Sequence, residues 1–195
     1  MAIRAFLAVS LPPETVRAVC RLQQRLKPDL PNVRWVRPAS LHLTLRFFPE
    51  ISEETLEKIT QIMLSVECLF PSVFIRISGL GAFPGPSRAR VFWLGVKGDP
   101  TLYRLYQFFD EQFAQIGLPG ENRPFTPHLT LGRHRQGLAI PRTILQQYEK
   151  IDCGTFITDR VTLFQSRLDP AGAIHTPIRT AKFKGPPSAE LSHRP

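Results

Sequence analysis

The tetrapeptide His42-Leu43-Thr44-Leu45 occurs a second time in this chain, as His128-Leu129-Thr130-Leu131. The two copies lie 128 − 42 = 86 residues apart, one in each half of the 195-residue sequence. Polar and apolar residues alternate in both copies, which predicts strands with one face in a core. Because side chains at i and i+2 share a face of a strand, each copy presents an imidazole and a hydroxyl together. The repeat therefore predicts two matching half-sites.

The elements around the two copies follow a similar order, which favours two similar α+β lobes with a cleft between them. Strands are predicted over residues 3–11, 33–36, 41–48, 73–78, 90–96, 125–133, 156–158, 160–166 and 174–183. Helices are predicted over residues 12–27, 52–63, 99–117 and 141–148, with a Gly/Pro-rich loop over residues 79–88. No Gly/Ser-rich linker separates the lobes. We therefore expect one bilobal domain over residues 1–184 and a flexible tail over residues 185–195.

The composition indicates a protein that binds an acidic partner. The net charge is +9, and 19 of the 25 basic residues are arginine, whose planar fork suits phosphate. Arginine richness for solubility is the alternative explanation. The sequence contains neither a bilayer-spanning apolar run nor a signal peptide, so we expect a cytoplasmic location. The three cysteines are odd in number and widely spaced, unlike those of a zinc site.

Two histidines that face each other suit proton transfer at neutral pH. Cleavage of a phosphodiester needs a base for the attacking hydroxyl or water and an acid for the leaving oxygen. Thr44 and Thr130 are candidate donors to the phosphate oxygens. Arg46 and Arg133 are further candidate phosphate ligands, Arg46 because it falls on the His/Thr face of an unbroken strand. Gly132 permits a bulge that would bring Arg133 round to the same face.

Other chemistries fit the sequence less well. Two histidines are too few ligands for a structural zinc, and no acidic residue lies within two positions of either one. Neither motif contains a serine or cysteine nucleophile. His134 is expected to be a solvated strand end. The sequence assigns no role to His175, another imidazole near the end of the chain.

Most of residues 1–183 resemble a known family, the 2H phosphoesterases, named for two His-x-Thr/Ser-x motifs. The closest likeness is to the RNA 2′,3′-cyclic phosphodiesterases, also called 2′-5′ RNA ligases. The matching stretches are residues 4–8, 11–12, 33–36, 41–47, 83–84, 90–96, 125–133 and 166–168. The resemblance implies an α+β fold of two pseudo-symmetric lobes, each an antiparallel sheet flanked by helices, around a central cleft.

The resemblance also implies an activity, which is hydrolysis of an RNA 2′,3′-cyclic phosphate to a 2′-phosphomonoester without metal or cofactor. His42 would protonate the leaving oxygen and His128 would activate water. The residues alone leave open which ring is the acid. Phe48-Pro49 and His175 depart from the family pattern, which commonly has Leu-Gly and tyrosine there. Aromatic residues are candidates to stack a terminal base, with core packing as the alternative; they are Trp35, Phe83 and Phe125.

Two further functions remain open from the sequence. One is joining or cleaving 2′-5′ linkages in tRNA halves or oligoadenylates. The other is a non-catalytic RNA-binding module, which would bind in a salt-sensitive manner without turnover. In each case the expected partner is RNA, and we expect a monomer.

Overall fold

A computed structural model describes residues 2–120, 124–167, 169 and 173–185. Antiparallel strands form one nine-stranded sheet, which four helices flank. The strands are β1 (Ile3–Ser10), β2 (Arg34–Trp35), β3 (His42–Ile51), β4 (Val73–Phe83), β5 (Ala89–Gly98), β6 (His128–Leu138), β7 (Asp152–Thr158), β8 (Arg160–Arg167) and β9 (Ile174–Lys182). The helices are α1 (Pro13–Leu26), α2 (Glu53–Ser65), α3 (Pro100–Gln115) and α4 (Arg142–Tyr148). The predicted α+β class is confirmed.

The strand order shows the predicted pseudo-symmetry. It runs β7-β4-β5-β6-β3-β1-β8-β9, and β2 pairs with β6 off this path. Each half therefore has four strands, and the two motif strands, β6 and β3, meet in the middle. The pairing recorded between them is Leu43 with Leu129. The centre of the sheet is thus the place where the halves, and the motifs, come together.

Both motif strands carry a β-bulge at the second leucine of the motif. Opposite β1, the register passes from Thr44 to Arg46 and skips Leu45. Opposite β5, it passes from Thr130 to Gly132 and skips Leu131. A bulge reverses the alternation of faces beyond it. The residue five positions after each histidine therefore turns to the His/Thr face.

Local sequence signals explain where the helices begin. The Ser52 hydroxyl accepts a hydrogen bond from the Thr55 backbone N–H, and the Asp99 carboxylate accepts one from that of Thr101. Both are N-caps of the kind that the sequence predicts. Helix α1 packs against β7 of the other half of the sheet, so it links the two halves.

The predicted loop over residues 79–88 is wrong for its first half, residues 79–83. Strand β4 continues to Phe83 and β5 begins at Ala89. Gly81 is needed inside a strand because a Cβ there would lie 2.2 Å from the ring of Trp93. A glycine in a strand therefore marks a close approach here, not a turn. The tail predicted over residues 185–195 lies outside the described residues, apart from Gly185.

None of the helices in the described residues combines the length and apolar character needed to cross a bilayer.

Candidate active site

The pairing of β3 with β6 brings the two predicted half-sites together. With Leu43 opposite Leu129, the antiparallel register puts His42 across from Thr130 and Thr44 across from His128. The leucines are buried, whereas the four polar residues are half-buried on the other face. Diagonal neighbours on one face lie roughly 7–8 Å apart. The register thus places one imidazole of each copy on the same face of the sheet, at diagonally opposite positions.

A cavity of about 420 Å³ lies over this face of the sheet. It is lined by four of the predicted site residues and by Trp35, together with basic and aromatic neighbours. The predicted residues in the lining are His42, Thr44, Thr130, Arg133 and Trp35. Four arginines and one aspartate contribute charge to the lining, so the cavity favours an anion; they are Arg4, Arg34, Arg37, Arg133 and Asp169.

Both histidines are anchored in the same way, which the sequence analysis missed. The Nδ1 atom of His42 lies 2.8 Å from the Ser40 carbonyl oxygen, and that of His128 lies 2.8 Å from the Thr126 carbonyl oxygen. A carbonyl only accepts, so Nδ1 donates and Nε2 of the neutral ring carries the free lone pair. The accepting atoms are main-chain carbonyls, which every residue has, so the sequence carried no signal for these two contacts.

Aromatic side chains fix the ring of His42. Phe6 stacks on it with ring centroids 4.5 Å apart, and Phe164 stacks on the far side of Phe6. His175 lies beside this stack, with its centroid 5.4 Å from that of His42 and 4.8 Å from that of Phe6. The structure therefore places the imidazole of His175 at the edge of the cleft.

The ring of His128 has different neighbours. Phe83 contacts it edge-on at 5.2 Å between centroids, and Trp93 lies 6.2 Å away. Phe83 is thus in position to orient His128. Among the described residues, those that line the 420 Å³ cavity include neither His128 nor Phe83. His128 lies across from Thr44, next to that lining. The role of Phe83 in stacking a base stays a prediction.

Phe125 is likewise absent from the described residues that line this cavity, and its role in stacking a base stays a prediction. Its ring stacks on Tyr106 of α3 with centroids 3.8 Å apart and planes at 7°. This contact holds the loop before β6 against the helix. Of the three aromatic candidates, Trp35 is the one in the cavity lining.

The prediction that Arg46 is a phosphate ligand is wrong. Its guanidinium donates to Asp110 at 2.7 Å and to the carbonyls of Leu118 and Pro119, and its side chain is 11% exposed. The prediction assumed an unbroken strand, whereas the bulge at Leu45 turns Arg46 away from the His/Thr face. Phe47 takes the cleft face instead, and Arg133 stands at the corresponding position of the other copy.

Burial changes the protonation of two rings. It lowers the pKa of His42 to about 4. The Ser40 carbonyl raises this pKa by a smaller amount, and a positive charge on His175 lowers it further. Burial also lowers the pKa of His175, and Arg37 and Arg4 add to that effect. In the ligand-free protein at pH 7, His42 is therefore neutral.

This neutral, buried His42 makes stability depend on pH. The unfolded chain binds a proton at this ring near pH 6.5, whereas the folded protein binds it only near pH 4. The unfolded state therefore holds more protons in that window, and we expect stability to fall by at most about 3 kcal/mol between pH 6.5 and 4. Urea unfolding at pH 7.5, 5.5 and 4.5 checks this. His42→Asn should flatten the dependence, and an unchanged slope in that variant would contradict a buried neutral ring.

No group of three or more His, Cys, Asp or Glu side chains suited to hold a metal occurs within the described part of the chain.

Known proteins resemble this chain in both sequence and fold. The model of the LigT like Phosphoesterase family matches the chain twice, over residues 9–93 and 94–175, so that each match contains one motif. An RNA 2′,3′-cyclic phosphodiesterase of Methanothermobacter thermautotrophicus is 35% identical over 188 residues, covering 94% of this chain and 100% of that protein. One from Methanocaldococcus jannaschii is 28% identical, covering 91% and 99%.

Solved structures agree with the fold. A Thermus thermophilus protein superposes with a TM-score of 0.81 at 26% identity, covering 94% of this chain and 99% of that one. Escherichia coli LigT, solved in complex with 3′-AMP, gives a TM-score of 0.76 at 26% identity over the same shares.

Proposed function

Because this chain belongs to the LigT-like phosphoesterase family, we propose that it hydrolyses RNA 2′,3′-cyclic phosphate ends to 2′-phosphomonoesters. The observation that carries the proposal is the meeting of two His–Thr half-sites across β3 and β6. Relatives named RNA 2′,3′-cyclic phosphodiesterase support the same reaction. Two opposed imidazoles supply the base and the acid that this hydrolysis needs.

In the proposed mechanism, the cyclic phosphate lies between the two Nε2 atoms. His128 takes a proton from a water that attacks phosphorus, and His42 gives a proton to the 3′ oxygen as the P–O3′ bond breaks. Thr44 and Thr130 donate hydrogen bonds to the non-bridging oxygens, and Arg133 adds countercharge. One proton is accepted and one is released, so the site returns to its starting charge after exchange with water.

The lowered pKa of His42 fits this role once substrate is bound. An anion beside an imidazole favours the protonated ring, so the bound phosphate raises the pKa that burial had lowered. A bell-shaped dependence of rate on pH is expected. That shape is the same whichever ring is the acid, since only the sum of protons on the pair matters.

Product analysis tests the proposed function. The protein is incubated with an oligoribonucleotide that ends in a 2′,3′-cyclic phosphate, with and without EDTA, and the product is identified. We expect a 2′-phosphate at the same rate in both. A 3′-phosphate, or binding without turnover, would contradict the proposal. A longer chain would indicate 2′-5′ ligation instead. The His42→Asn/His128→Asn double variant controls for contaminating nucleases.

We also propose that the enzyme acts as a monomer in the cytoplasm. The three cysteines are unpaired, as expected in a reducing compartment. Size-exclusion chromatography with light scattering checks the monomer.

A further inference from the structure

A second cavity, of about 480 Å³, adjoins the active site. Three side chains line both this cavity and the 420 Å³ cavity, namely Phe6, His42 and His175. Among the described residues, Thr44 and Thr130 line the 420 Å³ cavity but not the second one. The ring of His42 therefore stands where the two cavities meet, with the candidate phosphate donors on one side only.

Two turns that begin with proline form the rim of the second cavity. Pro13 is the first residue of α1, shortly after β1, and Pro38 begins a short 3₁₀ turn just before β3. Ser10 at the end of β1 pairs with His42 at the start of β3, so both turns lie at the same end of these strands. Because proline fixes φ, the backbone of this rim is rigid.

The lining of the second cavity suits a flat apolar group with polar atoms at its edge. Most of the lining is apolar, including Leu11, Val16, Leu41 and the half-buried ring of Phe164. Among the described lining residues, Arg17 of α1 carries the one permanent positive charge, and its side chain is exposed. A nucleobase fits this description, since its faces stack on aromatic rings and its edges accept hydrogen bonds.

The proposed reaction places a nucleoside on this side of the site. The attacking and leaving oxygens lie roughly in line through phosphorus. When His128 activates the water and His42 protonates the 3′ oxygen, the ribose that carries this oxygen lies on the side of His42. The 420 Å³ cavity is lined by arginines and suits the phosphate, whereas the second cavity is the more apolar space beside His42. The base attached to the ribose therefore has an apolar cavity within reach.

We propose that the second cavity binds the base of the terminal nucleotide, the one that carries the cyclic phosphate, and that Arg17 favours guanine there. A guanidinium donates to O6 and N7 of guanine together, whereas adenine presents an amino group in place of O6. The inference rests on the proposed function and on the role of His42 as the acid. It makes the terminal base a determinant of the rate.

The test compares three trinucleotides that end in a 2′,3′-cyclic phosphate and differ only in the last base. That base is guanine, adenine or none, the last being a terminal 1-deoxyribose. The reacting phosphate is the same in all three, so ratios of kcat/KM measure recognition of the base. For the wild type we expect guanine to exceed no base by about 10–100-fold, as for one stacked base. Guanine should exceed adenine by about 5–20-fold, in the lower range for a bidentate arginine contact.

Arg17→Met should bring the guanine-to-adenine ratio close to 1 and leave turnover of the abasic substrate unchanged. Arg17→Lys should give an intermediate ratio, because it keeps the charge and loses the fork. Arg21→Met is the matched control, since Arg21 is an exposed arginine one turn further along α1 and outside the described lining. It should keep the wild-type ratio.

Val16→Trp fills the second cavity from α1. It should lower kcat/KM for the guanine substrate towards that of the abasic substrate, whose own value should not change. Turnover of the abasic substrate thus reports an intact cleft, and circular dichroism with thermal unfolding establishes that each variant folds. The Arg17 variants decide the question independently should Val16→Trp not fold.

Equal kcat/KM for the guanine and abasic substrates in the wild type would overturn the base site alone. A preference for a base that Trp35→Ala abolishes and Val16→Trp does not would also overturn it, because the base would then lie in the 420 Å³ cavity. A guanine-to-adenine ratio unaffected by Arg17→Met would overturn the role of Arg17. Turnover of none of the three substrates would overturn the proposed function, and the base site with it.

Discussion

His42→Asn and His128→Asn will each lower kcat for hydrolysis of a 2′,3′-cyclic phosphate by a factor of about 10²–10⁴, the usual contribution of a general acid or base. The reaction needs the Nε2 atom of each ring, and asparagine lacks that atom. Its amide nitrogen occupies the position of Nδ1, so it can still donate to the carbonyl of Ser40 or Thr126. Steady-state kinetics with a defined oligoribonucleotide gives the measurement.

The control for this pair is His134→Gln, on the same strand as His128 and next to Arg133, so that strand alternation places it on the face opposite to the cavity-lining Arg133. It should keep the wild-type rate. Circular dichroism and thermal unfolding establish that each variant folds. Turnover by either motif variant at close to the wild-type rate would disprove the two-histidine mechanism.

A sulfur-substituted substrate separates the acid from the base. When the 3′ bridging oxygen of the cyclic phosphate is replaced by sulfur, the leaving thiolate needs little protonation, since thiols have a pKa near 8.5. We expect this substrate to restore activity to His42→Asn but not to His128→Asn. Rescue of His128→Asn instead would reverse the proposed roles of the two rings.

Thr44→Val and Thr130→Val will each lower kcat by about 10² with a smaller change in KM, because a donor to charge that develops in the transition state is lost. Valine has the shape of threonine and the same preference for strands, so folding should be unaffected. Threonine to serine restores the hydroxyl and should recover most of the activity.

Thr155→Val serves as the control, because Thr155 is exposed on β7, which lies at the edge of the sheet. An increase in KM with kcat unchanged in the two motif variants would mean that the hydroxyls bind the ground state and the transition state equally. That result would remove them from the proposed charge stabilisation.

The repeated motif carries most of what the sequence could predict. Alternation alone put His42 and Thr44 on one face and the leucines in the core, and the caps at Ser52 and Asp99 followed from local chemistry. These are short-range effects. The likeness of the two halves then predicted the cleft.

What the sequence could not predict depends on contacts between distant residues. The bulge at Leu45, which sends Arg46 to Asp110, becomes visible only when β3 pairs with β1. Gly79 and Gly81 look like a turn, but Gly79 lies at a bulge in the pairing of β4 with β5 and Gly81 lies against the ring of Trp93. The position of Arg34 opposite Arg133 likewise depends on the pairing of β2 with β6.

The self-contained anchoring of each histidine has a mechanical consequence. Each ring is tied to a carbonyl of its own segment, so neither tautomer depends on the opposite half of the molecule. The separation of the two rings, by contrast, is set where Leu43 meets Leu129. The junction of β3 with β6 therefore fixes the distance between the two rings, and a substitution that weakened this pairing would move the rings apart without changing the tautomer of either.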